Sequence, residues 1–199
     1  MAFAQDLLKQ AFHLLNKESK NPTQASLRRS VSTAYYALFH LLIQEASANW
    51  SRADTRDYLA RAFEHKTMKQ ACTWAENATY DPAISPQVVA KLRSVARAFR
   101  ELQLQRHLAD YSNATKWDRL KASAKVNQAN TAFNDWKSIR NEFVAQKYLV
   151  SLLSNYNRRV KLAAIRFLQD SRHPKVVIKH QKDLLRRRLN HHLAILRKA

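Results

Sequence analysis

LRRSVSTAYYALFHLLI, residues 27–43, places Leu27, Val31, Ala34, Tyr35, Leu38, Leu41 and Leu42 at the alternating three- and four-residue spacing of a helix with one buried face. Thr23 lies just upstream, where its side chain can cap the first turn, and the pattern runs on to about Trp50. At about 100° per residue, Arg29, Thr33, Tyr36, His40 and Gln44 fall within one arc of roughly 80°, opposite Ala34, Tyr35, Leu38, Leu41 and Leu42. Packing does not require that polar stripe. It is either an exposed polar face with Tyr36 and His40 packed on neighbouring helices, or a place where Tyr36 and His40, one turn apart and beside an Arg, bind phosphate and move a proton.

The same helical period extends to both sides. Leu7, Leu8, Ala11, Leu14 and Leu15 form one stripe over 4–18, ending before Pro22. Tyr58, Ala62, Met68 and Trp74 suggest a third helix over 54–77. ATYDPAISP (78–86) reads as a linker, and Ser85-Pro86 opens a fourth helix over 86–111 with its seam at Val88, Leu92, Val95, Phe99 and Leu102. A long fifth helix is expected over 116–153, burying Ala129, Ala132, Trp136, Ile139, Phe143, Val150 and Leu153. Two shorter basic helices, 158–169 and 181–197, would follow, split at Pro174. The chain has no glycine, so Asn49, Asn77, Asn113 and Asn155 are the expected helix terminators. The fold class is all-α: an up-and-down bundle of four to five helices over 1–153, with a basic helical C-terminal extension over 154–199.

Composition narrows the function. Absence of glycine excludes P-loop and Rossmann sites, whose backbones must approach a phosphate closely. A single cysteine, Cys72, excludes a disulfide framework and a cysteine-rich metal site, and suits a reducing cytoplasm. No apolar run approaches the length of a membrane span, and Asp6 interrupts the only candidate signal-peptide core, so a cytoplasmic protein with no membrane partner is expected. Neither cofactor nor metal is implied. The net charge of +20 makes nucleic acid the default partner. It is unevenly spread: residues 1–150 carry 22 bases and 13 acids, residues 151–199 carry 13 and 2.

The fourth helix ends unusually. Four residues beyond Leu102, the seam expects another apolar side chain and meets Arg106; Asp110 follows at the same spacing, and His107 pairs with Tyr111. A guanidinium on a buried stripe needs a partner, so Arg106 either pairs with Asp110 or lines a cleft open to an anion. In the fifth helix, Arg140-Asn141 is followed by Gln146 on the apolar side.

LRRSVSTAYYALFHLLI, together with RHLADY (106–111), resembles the HEPN (higher eukaryotes and prokaryotes nucleotide-binding) family, in its small bacterial branch. The matching residues are Ala34, Tyr35, Tyr36, Ala37, Phe39 and His40, then Arg106, Ala109, Asp110 and Tyr111; the likeness covers about 5–153. The resemblance implies a helical bundle, commonly dimeric. It also implies a metal-independent endoribonuclease, often a toxin paired with a nucleotidyltransferase-like antitoxin. The family's signature is an Arg followed by a His four to six residues on. A histidine takes the proton of a ribose 2′-OH, and an arginine stabilises the phosphate charge. On that basis Arg106, His107 and His40 are the catalytic candidates, with Arg29, Tyr36, Asp110, Tyr111 and Arg140 as binding residues. Where the family places its signature, RNEFVAQ (140–146) has Gln146, which cannot act as a base.

Three readings of function follow. The first is an RNA-directed HEPN protein, a ribonuclease or toxin–antitoxin component. The second is an inactive dimerisation or interaction module. In the third, the tail alone binds nucleic acid through Arg158, Arg159, Arg186, Arg187 and Arg188.

Overall fold

The computed structural model describes residues 2–49 and 53–153. The expectations for the 154–199 extension and its boundary, for Asn155 and for the helix end at Trp50 lie outside them. Among the described residues the chain is all-helical, with no strand: α1 (Ala2–Leu15), α2 (Gln24–Ala48), a 3-10 turn (Ala53–Thr55), α3 (Arg56–Ala60), α4 (His65–Asn77), α5 (Pro86–Tyr111), α6 (Arg119–Ile139) and α7 (Phe143–Ser151).

α2 is the central element. Thr23 caps it, its hydroxyl accepting from the Ser26 N–H at 3.2 Å, and α1, α5 and α6 all pack on it. Contact from three sides buries most of its length, including Thr33, and leaves Gln44 half-buried. The polar stripe is therefore exposed only at Arg29, with Thr33 buried and Tyr36, His40 and Gln44 half-buried against their neighbours. The seam of α5 packs as its spacing predicts: Leu92, Val95, Phe99 and Leu102 are buried, with Val88 partly so.

Two predicted helices are interrupted. The helix expected over 54–77 breaks at 61–64 into α3 and α4, because Phe63 turns into the core from the connecting loop. The stripe of α4 is then Met68, Ala71, Cys72 and Ala75, and Tyr58, Ala62 and Trp74 are left exposed. The helix expected over 116–153 begins at Arg119, behind the Asp118 cap, and breaks at 140–142. A buried carboxylate on α2, Glu45, draws Arg140 to 2.9 Å, and the Gln146 amide donates to the Arg140 carbonyl at 2.5 Å, taking up an acceptor that the break sets free. Phe143, expected inside, is exposed at the start of α7 with Lys147 over its ring.

Loops are held by side chains reaching from the helices. Gln24 grips Trp117 by both backbone groups, donating to its carbonyl at 2.6 Å and accepting from its N–H at 3.0 Å. Among the described residues only Asn21 has a positive φ, 47°. Asn49 and Asn77 stand at the ends of α2 and α4, as expected of terminators, and Asn113 lies just past the end of α5, but none of the three has a left-handed backbone. Asn49 and Asn77 instead turn their amides back onto the carbonyls of Glu45 and Thr73, a local bond that competes with helix continuation.

Candidate functional site

Arg106 lies on the last turns of α5, one seam position past Leu102. Its Nη2 donates to the Tyr36 hydroxyl of α2 at 2.5 Å, and its Nε is 2.8 Å from the Asp110 carboxylate. The Nε–H is not aligned with that oxygen, so the second contact is an ion pair without a hydrogen bond. Ser32, one turn before Tyr36, donates to the same Asp110 oxygen at 3.2 Å. The guanidinium carbon lies 5.3 Å from the Tyr36 ring centroid and 5.5 Å from that of Tyr111. The Arg106 side chain keeps 22 % of its surface exposed, Asp110 keeps 21 %, and Tyr111 is open to solvent. Nη1 has no partner among the described residues.

α4 adds a group that the motifs did not indicate. His65, its first residue, stacks on Phe39 at 4.3 Å between centroids and meets the Tyr36 ring edge-on at 6.3 Å. Its Nδ1 is 2.5 Å from the hydroxyl of Tyr35. His65 and Arg106 thus both contact Tyr36. Burial holds the His65 imidazole below the ordinary histidine range, and the Arg106 charge and then His40 push the same way. Burial lowers His40 as well.

The expected residues divide between places. Arg106, Tyr36, Asp110 and Tyr111 come together. His107 packs on Tyr111, 5.0 Å between centroids, on the exposed side of α5. His40 is wedged edge-on between Phe3 and Phe39, within electrostatic reach of His65. Arg29 is exposed and joins none of these groups; its neighbour Arg28, about 100° around the helix, turns back instead. The Arg28 guanidinium donates to the carbonyls of Ala109, Ser112 and Thr115, closing the C-terminus of α5.

Arg140 belongs to a separate cluster. It pairs with Glu45, whose side chain is 4 % exposed, at the edge of a cavity of about 170 Å³ lined also by Leu41, Phe133, Asn134 and Trp136. Asn49 donates to Gln146 at 2.7 Å across this corner, joining the end of α2 to α7.

Among the described residues no three His, Cys, Asp or Glu side chains gather as metal ligands, and no helix is long and apolar enough to cross a membrane. Cys72 is buried, within 3.1 Å of the Tyr148 hydroxyl, and burial pushes its thiol up to about 12. No family model, no curated protein and no solved structure matches the chain.

Proposed function

We propose that this chain is an RNA-directed helical protein of HEPN type that engages the phosphodiester backbone at Arg106. The observation that carries this reading is the unpartnered Nη1 on a guanidinium hydrogen-bonded at Nη2, ion-paired at Nε and lying against two tyrosine rings. Such an arginine is oriented before a ligand arrives, and its free N–H groups suit a phosphate oxygen. The excess of basic residues would draw a polyanion toward it and make binding weaken with salt. Cytoplasmic location, dimerisation and a nucleotidyltransferase-like antitoxin partner belong to the same proposal.

Asp110 favours the second reading, an interaction module without RNA chemistry, because it already balances the Arg106 charge within one turn of helix. The two separate on one experiment: binding and cleavage of a structured RNA by the full chain in EDTA, with Arg106→Ala alongside. Affinity should fall about tenfold in the variant, the weight of one charge-assisted contact. Equal affinity in variant and wild type rejects the Arg106 site. If affinity falls only when Arg186, Arg187 and Arg188 are replaced, the tail is the binding element.

A further inference from the structure

We infer that His65 serves this site as a fixed hydrogen-bond donor, held with its proton on Nε2 by the hydroxyl of Tyr35, so that the site grips a phosphate oxygen without withdrawing a proton from the RNA. The inference rests on the phosphate-binding reading of the Arg106 site.

Tyr35 determines where the His65 proton sits. Its side chain lies on the core face of α2, fully buried, and its hydroxyl meets one polar partner among the described residues, Nδ1 of His65. A buried hydroxyl that only accepts leaves its own hydrogen without an acceptor, which is costly away from water. Burial also pushes the phenol well above the ordinary tyrosine range, so the O–H stays protonated at any working pH. The hydroxyl therefore donates and Nδ1 accepts, which in a neutral imidazole leaves the proton on Nε2.

The surroundings disfavour the doubly protonated ring. Arg106 carries its charge nearby, and Phe39 covers one face of the imidazole. A second proton would also have to displace the Tyr35 hydrogen from Nδ1. His65 is nonetheless exposed as a residue, and its hydrogen bonds among the described residues use Nδ1 and the backbone carbonyl, not Nε2. A neutral ring with a free N–H and a guanidinium with a free N–H are two donors that both lie against the Tyr36 ring. A general base needs the opposite, a bare nitrogen towards the 2′-OH. With Nδ1 occupied and Nε2 protonated, His65 offers none.

The test uses full-length protein and a single-stranded oligouridylate in EDTA. Long-range nitrogen–proton correlation spectra of labelled protein at pH 7.5 should show His65 protonated on Nε2 and bare at Nδ1; the Nδ1–H form overturns the inference. His65→Gln, which keeps an N–H donor, should bind the oligouridylate within about twofold of wild type, whereas His65→Ala should bind about five- to tenfold more weakly. Equal binding by His65→Ala, or RNA cleavage that His65→Gln abolishes, overturns the inference: the first removes the donor and the second makes His65 a base. If wild-type protein binds no oligouridylate, the RNA reading falls and the donor's task falls with it. The spectrum still decides the tautomer independently.

Discussion

Two arginines of this chain stand against carboxylates, Arg106 on the seam of α5 and Arg140 just past the end of α6, and they do different work. Arg140 meets Glu45 from another helix; the acid is sealed at 4 % exposure and the guanidinium is at 31 %. Arg106 meets Asp110 within its own helix, and both keep about a fifth of their surface. A carboxylate as buried as Glu45 cannot be left alone, so the first pair holds α6 against α2. A pair one helical turn apart fixes no tertiary contact of its own. Arg106 reaches α2 through Tyr36, a bond that orients its guanidinium and leaves Nη1 unused. The distance in sequence between the partners separates an arginine that serves the fold from one available to a ligand.

The largest effect expected from this contrast is on stability. Arg140→Ala strands the Glu45 carboxylate and should cost about 3–5 kcal/mol in denaturant unfolding. Arg106→Ala should cost about 1 kcal/mol, since both of its partners reach water once it is gone. Similar losses in the two variants would erase the distinction.

A smaller effect sharpens the site itself. Asp110→Asn removes the local counter-charge while keeping an acceptor for Ser32. RNA affinity should rise about threefold, with a change in stability of less than about 1 kcal/mol. Titration of the same RNA at constant salt reads this directly. A fall in affinity would mean that Asp110 positions Arg106 for the ligand.

The helices themselves were legible because their packing is periodic. Leu92, Val95, Phe99 and Leu102 announce one face of α5, and the out-of-place Arg106 stands out against that regularity. The breaks at 61–64 and 140–142 were not legible. Neither segment holds a proline or a glycine, and what pulls the chain out of helix is the core in one case and Glu45, far away in sequence, in the other. His65 was missed for a related reason: flanked by Glu64 and Lys66, it carries no motif. The one available signal was Tyr35, whose hydroxyl, placed on the core face, had to find a partner somewhere. The choice between Arg28 and Arg29 was equally open in sequence. Adjacent arginines differ only by 100° of helix rotation, and the carbonyls that select Arg28 lie more than eighty residues on.

The smallest expected effect concerns pH and separates the two regions again. His40 and His65 both pack on Phe39, and His65 also meets Tyr36 at the Arg106 site, whereas among the described residues no histidine lines the Glu45 cavity. Both imidazoles are held below the ordinary value of about 6.5, chiefly by burial. Between the folded and unfolded values the unfolded chain binds more protons, so this contribution is complete above about pH 6.5 and declines as pH falls. Thermal unfolding should therefore occur at a lower temperature at pH 5.5 than at pH 7.5, before most carboxylates titrate. In a His40→Gln, His65→Gln double variant the difference should shrink, while in Arg140→Ala it should persist on a lower baseline. An unchanged slope in the double variant would place the pH response elsewhere and remove the chemical distinction between the two arginine sites, leaving only the mechanical one.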